Sequence, residues 1–101
     1  MVKHIVCVRL KDHAEGAAKA ENARMLKSKI EAMRGAIPGL LELEVGLNFE
    51  PSDAAYDLVL YATFPSREAL AAYQAHPAHV AVAQLIRRVR DARVVVDYEV
   101  E

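Results

Sequence analysis

Hydrophobic and polar residues alternate over residues 2–10. This places Val2, His4, Val6, Val8 and Leu10 on one face and Lys3, Ile5, Cys7 and Arg9 on the other. Period two in a segment rich in β-branched residues predicts a half-buried strand. Residues 11–16 are polar and predict a connection. From 17 to 34 the period changes. Ala18, Asn22, Met25, Leu26, Ile30 and Met33 recur at spacings of three and four, the apolar stripe of an amphipathic helix. Lys19, Glu21, Lys27, Lys29 and Glu31 lie mostly off that stripe. Gly35 is the expected residue past the helix end, and Ile37-Pro38-Gly39 prevents continuation.

Alternation returns at 40–49, with Leu41, Leu43, Val45, Leu47 and Phe49 opposite Glu42, Glu44, Gly46 and Asn48. If the leucine face covers the helices, Glu42 and Glu44 turn to the other side and need Lys3, Arg9 or solvent as partners. Glu50-Pro51-Ser52-Asp53 predicts a turn. Residues 55–64 predict a third strand, with Tyr56, Leu58, Leu60, Ala62 and Phe64 on one face and Asp57, Val59, Tyr61 and Thr63 on the other. Ser66 is an N-cap for a short helix to about Ala75, with Glu68 in its first turn. Pro77 fits the first position of a further helix capped by His76 and running to Val89. Residues 93–100 predict a fourth strand, with Val94, Val96, Tyr98 and Val100 on one face and Arg93, Val95, Asp97 and Glu99 on the other.

The order β-α-β-β-α-α-β predicts an α+β, ferredoxin-like fold, a four-stranded antiparallel sheet with helices on one face. The second sheet face then carries Ile5, Cys7, Val59, Tyr61, Val94, Val96, Tyr98 and Val100. A contiguous apolar patch of that extent is unusual on a monomer. A second copy packed sheet against sheet covers it, so the chain is expected to be a homodimer.

The 101 residues amount to one domain, 1–101. Formal net charge is −1, which argues against a general nucleic-acid partner. Mean hydropathy is only +0.05, and no run of 18 apolar residues occurs. No membrane partner is expected. The single Cys7 excludes an internal disulfide framework and makes the cytoplasm the default compartment.

Candidate chemistry concentrates in Tyr73-Gln74-Ala75-His76-Pro77-Ala78-His79. A kink at His76-Pro77 can bring the Tyr73 phenol and the His79 imidazole to one pocket, where a neutral imidazole is a usable general base. Asp97 shares a face with Val95. If that face lies under the helices, the carboxylate needs a partner; His79 and Arg93 are the candidates. His4, on an apolar face, reads as a core histidine bonded to a backbone carbonyl or as the pocket edge. No spacing completes a metal set, and no phosphate-loop, dinucleotide or nucleophile-elbow motif occurs, so no metal or cofactor is expected. The Arg87-Arg88-Val89-Arg90 cluster reads as a helix C-terminus answering its dipole.

Several segments together resemble the stress-responsive dimeric α/β-barrel (Dabb) family. They are the initial Lys3-His4-Ile5-Val6, Ile37-Pro38-Gly39-Leu40, Tyr56-Asp57-Leu58-Val59-Leu60-Tyr61, Tyr73, His76-Pro77-Ala78-His79 and the terminal Val94-Val95-Val96-Asp97-Tyr98. The resemblance spans essentially the whole chain. It implies a dimer that closes into an α/β-barrel. A polyketide cyclase of that family, olivetolic acid cyclase, works without a cofactor through a tyrosine and a histidine; the matching positions here are Tyr73 and His79, with Asp97 and His4 also at pocket positions. The pocket so implied is lined by His4, Val6, Leu26, Ile30, Leu58, Val82 and Val95. Leu58 stands where that cyclase has a further histidine, and Leu26 and Ile30 where it has aromatic residues, so its substrate does not carry over. Three functions follow as expectations. The first is a small-molecule binder or cofactor-free, cyclase- or lyase-like enzyme acting on a carbonyl-containing, partly apolar ligand. The second is a non-catalytic stress-associated dimer with a structural Tyr-His-Asp network. The third, by fold analogy alone, is an antibiotic-biosynthesis-type monooxygenase.

Overall fold

In a computed structural model covering residues 1–101, the strict alternation of β1 (Val2–Leu10) becomes strict alternation of burial. Its even-numbered residues are buried and its odd-numbered ones are half exposed. The chain continues as β2 (His13–Ala14), β3 (Ala17–Ala18), α1 (Lys19–Glu31), β4 (Glu42–Leu47), β5 (Leu58–Phe64), α2 (Arg67–Ala75), α3 (Pro77–Val89) and β6 (Arg90–Glu99). The main sheet is antiparallel in the order β4-β5-β1-β6, the expected ferredoxin-like arrangement. One core joins the even face of β1 to Leu43, Val45, Leu58, Leu60, Ala62 and Phe64 on the sheet. From the helices come Leu26, Ile30, Leu70, Tyr73, Val82 and Val89.

The expected polar connection at 11–16 is instead part of a two-residue hairpin. Glu15 and Gly16 both take positive φ, 51° and 75°, as a tight twist-matched turn requires. The Asn22 amide donates to the carbonyls of Ala14 and Ala17, tying this ribbon to α1. Residues 17 and 18 therefore leave the expected helix, which starts at Lys19 with no side-chain cap. At its other end the helix stops at Glu31, and residues 32–36 form successive turns ending near Gly35, φ 79°.

The middle strands are shorter than the alternation implies. Leu41 and Phe49 lie beyond β4 and are exposed. Asp57 ends the pairing before β5: its carboxylate accepts from Leu10 N–H at 2.7 Å while its own N–H donates to Val8 O. Tyr56 thereby leaves the Leu58 face and stacks under the Arg9 guanidinium at 4.6 Å. Glu42 accepts from the Thr63 hydroxyl at 3.1 Å, a cross-strand partner not anticipated for it, and Glu44 is exposed. Both caps form as expected, Ser66 accepting from Ala69 N–H and His76 Nδ1 from Ala78 N–H. Pro77 opens α3.

β6 begins at Arg90, three residues before the expected start, because the chain turns from helix to extended backbone with no loop. It pairs with β1 from Val2↔Glu99 through His4↔Asp97, Val6↔Val95 and Val8↔Arg93. Between Arg9 and Leu10 the register shifts, so Leu10 faces Arg90. β6 is an edge strand. Val94, Val96 and Tyr98 are exposed on the face away from the helices, beside Val59 and the half-buried Ile5, Cys7 and Tyr61. No helix is long and apolar enough to cross a membrane.

Candidate functional site

The central strand, the last turn of α1 and the α2–α3 kink enclose a cavity of about 140 Å³. β1 supplies His4, Val6 and Val8, β5 supplies Leu58 and Leu60, and α1 with its following turn supplies Ile30 and Met33. Tyr73 enters from α2; His79, Val82, Ala83 and Ile86 enter from α3. The cavity is smaller than the roughly 300 Å³ at which drug-sized ligand sites begin.

The kink performs the expected convergence. Capping by His76 and the fixed φ of Pro77 start α3 one residue after α2 ends, so His79 returns over Tyr73 with ring centroids 4.5 Å apart. Tyr73 also packs on Phe64 at 4.9 Å and edge-on to His4 at 6.0 Å. Burial pushes the Tyr73 phenol up to about 12, so it stays protonated and can donate a hydrogen bond across the neutral range. Its hydroxyl has no hydrogen-bonded protein partner and is not a sealed, unsatisfied atom, so it opens on the cavity.

His79 is held below the ordinary histidine range chiefly by burial. The Gln74 carbonyl, 3.1 Å from Nδ1, opposes that shift, and the positive charge of Arg93, joined by that of His4 whenever His4 is protonated, reinforces it. A carbonyl only accepts, so His79 carries its proton on Nδ1 and leaves Nε2 as a lone pair.

Asp97 does not orient His79. Opposite His4 in the β1–β6 register, its carboxylate hydrogen-bonds His4 Nδ1. The carbonyl partner expected for His4 is therefore replaced by a carboxylate. An acceptor at Nδ1 fixes the proton there and turns the other ring nitrogen free, the arrangement that lets an acid hold an imidazole as a base.

Two expected wall residues lie elsewhere. Leu26 is fully buried one turn before Ile30, in the core rather than against the cavity. Val95 faces the helix side but remains 44% exposed, because β6 is the edge strand and the helices do not reach over it. Val6, Ile30, Leu58 and Val82 do line the cavity. So do Arg87 and Arg90, which the dipole reading of the basic cluster left out of the pocket, and Arg93, the other candidate partner for Asp97, whose carboxylate pairs with His4 instead. No group of three His, Cys, Asp or Glu side chains converges anywhere in the chain.

The family model of the stress-responsive A/B barrel domain (Dabb) matches residues 2–100. The chain is similar to a dimeric protein of unknown function and ferredoxin-like fold from Bacteroides fragilis, 32% identical over 98% of this chain and 95% of that one, TM-score 0.84. It is similar also to an Arabidopsis thaliana protein, 27% identical over 100% of this chain and 96% of that one, TM-score 0.83. A hydroxynitrile lyase from Passiflora edulis shares the fold at 18% identity, over 99% of this chain and 93% of that one, TM-score 0.81. Comparison with curated proteins returns no match.

Proposed function

Because the chain belongs to the stress-responsive A/B barrel (Dabb) family, we propose that it is a cytoplasmic homodimer holding one small-molecule pocket in each protomer, where His4, Tyr73 and His79 move protons on a carbonyl-containing ligand without a cofactor. The dimer reading rests on the exposed apolar sheet face and on the Bacteroides fragilis relative, which is described as dimeric. Sheet-to-sheet packing closes the barrel and leaves the pocket, on the helix side, open to ligand. The cytoplasmic reading rests on the single half-buried Cys7.

The observation that carries the chemistry is that a phenol and two imidazoles line one cavity, each imidazole with its Nδ1 occupied by an acceptor. His4 is the base, because the Asp97 carboxylate stabilises the imidazolium formed when Nε2 takes a proton. Tyr73 donates its hydroxyl proton in a hydrogen bond to the ligand's carbonyl oxygen, where negative charge develops. His79, neutral at pH 7, holds the ligand beside Tyr73.

Proton abstraction next to a carbonyl is readable as deuterium entering a small ketone or β-dicarbonyl compound in D₂O, followed by proton NMR. The wild type should accelerate this exchange. Asp97→Asn should lower the acceleration by about 10²–10⁴-fold with the fold retained. His79→Ala should weaken ligand binding. Acceleration that survives Asp97→Asn unchanged overturns the assignment of His4. The small size of the cavity and the dense packing of Tyr73 on Phe64 favour the second reading, a non-catalytic dimer whose Tyr-His-Asp groups hold α2 and α3 to the sheet. In that case no carbonyl compound perturbs the cavity resonances.

A further inference from the structure

One end of the cavity is apolar and aromatic; the other is lined by Arg87, Arg90 and Arg93. Among the arginines, ion pairs form only at Arg67 with Glu99 and at Arg88 with Glu15. The three cavity arginines have no carboxylate within the fold. The α3 dipole accounts for Arg87 and Arg88 in the last helical turn, but not for Arg93, which sits on β6 opposite Val8.

The register shift in β6 is specific in its effect. Without it, continued pairing from Val8↔Arg93 would set Asp91 opposite Leu10 on the helix side. The shift sets Arg90 there and leaves Asp91 exposed outside the pairing. Such bulges re-aim a side chain, and this one puts a cation at the pocket where unbroken alternation would put an acid. From this we infer that the pocket takes a small monoanionic carboxylic acid. Its carboxylate lies on Arg90 and Arg93, its apolar body on Ile30, Leu58 and Val82, and its far end toward Tyr73 and His79. This rests on the reading of the cavity as a ligand pocket. Guanidinium forks match a carboxylate in geometry as well as in charge. The narrow apolar floor selects an acid with a hydrocarbon body over a hydrated inorganic anion.

The probes are hexanoate, its neutral counterpart hexanamide, and inorganic phosphate, each titrated into the ¹⁵N-labelled protein. Hexanoate should shift the amides around His79, Arg90 and Arg93. Arg90→Gln and Arg93→Gln should each weaken it about tenfold. Arg88→Gln, outside the cavity, should leave it unchanged. Hexanamide should bind about tenfold more weakly than hexanoate and be indifferent to all three variants. Phosphate should leave the cavity resonances still. Equal binding of acid and amide, equal binding of phosphate, or an equal loss in Arg88→Gln overturns the inference. Hexanamide binding with hexanoate rejected overturns it while leaving the pocket reading intact; silence of the cavity to both overturns the two together.

Discussion

Replacing Asp97 separates the charge of its carboxylate from the occupancy of its site. His4 is buried on the helix face, and its Nδ1 is held by Asp97 across the β1–β6 pair. A hydrogen bond to a charged group contributes about 1.5–3 kcal/mol and a neutral one about 0.5–1.5 kcal/mol. The Asp97 side chain is 39% exposed, so solvent screening places its bond at the low end. Asp97→Asn keeps an acceptor oxygen in place and should cost about 1 kcal/mol. Asp97→Ala leaves a buried N–H without a partner and should cost more, about 2 kcal/mol, from the desolvation of that group. For a domain of this size each kcal/mol lowers Tm by roughly 4–8 °C. Thermal unfolding followed by circular dichroism at pH 7 gives the order wild type, then Asn, then Ala. Imidazole ¹⁵N shifts of the wild type should show His4 protonated at Nδ1. Loss of less than about 0.5 kcal/mol in Asp97→Ala, the range of an ordinary surface substitution, would refute the pairing. So would a proton on His4 Nε2 alone.

Two further outcomes follow from burial. Absorbance at 295 nm should show one of the four tyrosines ionising last, near pH 12, and Tyr73→Phe should remove that step. The folded-state value lies above the unfolded one of 10.0, so this contribution to stability is complete below pH 10 and is lost as the pH climbs toward 12. Val96, 58% exposed in the protomer, lies on the apolar sheet face beside Ile5 of the central strand. Val96→Asp should convert a species of about twice 11.2 kDa into protomers in sedimentation at micromolar concentration; an unchanged dimer would place the interface elsewhere.

Local signals carried most of the fold. β1 needed only its alternation, α1 its stripe, and the two short helices their Ser66 and His76-Pro77 starts. The β2–β3 hairpin escaped because two-residue strands have no period to detect; its trace is Glu15-Gly16, where both residues must take positive φ. At the site, the Tyr73–His79 meeting was legible because only five residues, one of them a proline, separate them. The Asp97–His4 pair was not, since it depends on the register between the first and last strands. Leu26 and Ile30 share a stripe, but a stripe reports which side is buried and not where along the helix the cavity opens. Arg90 was hidden by the register shift, which no alternation pattern reveals in advance.

The β1–β6 pairing has a kinetic meaning beyond the site. His4 and Asp97 lie 93 positions apart, and the central strand acquires its second neighbour only from the last segment of the domain. Closing so long a loop comes before its contacts contribute, and non-local pairing slows folding. During synthesis β1, α1, β4 and β5 emerge first and can collapse against one another, leaving one edge of β1 open. His4 then has no carboxylate, and the cavity lacks Arg90 and Arg93. A truncated or stalled chain would display an unpaired hydrophobic strand edge of the kind that recruits other chains. Completion of the acid–base pair, closure of the aggregation-prone edge and assembly of the cationic mouth are thus a single late event, the docking of β6.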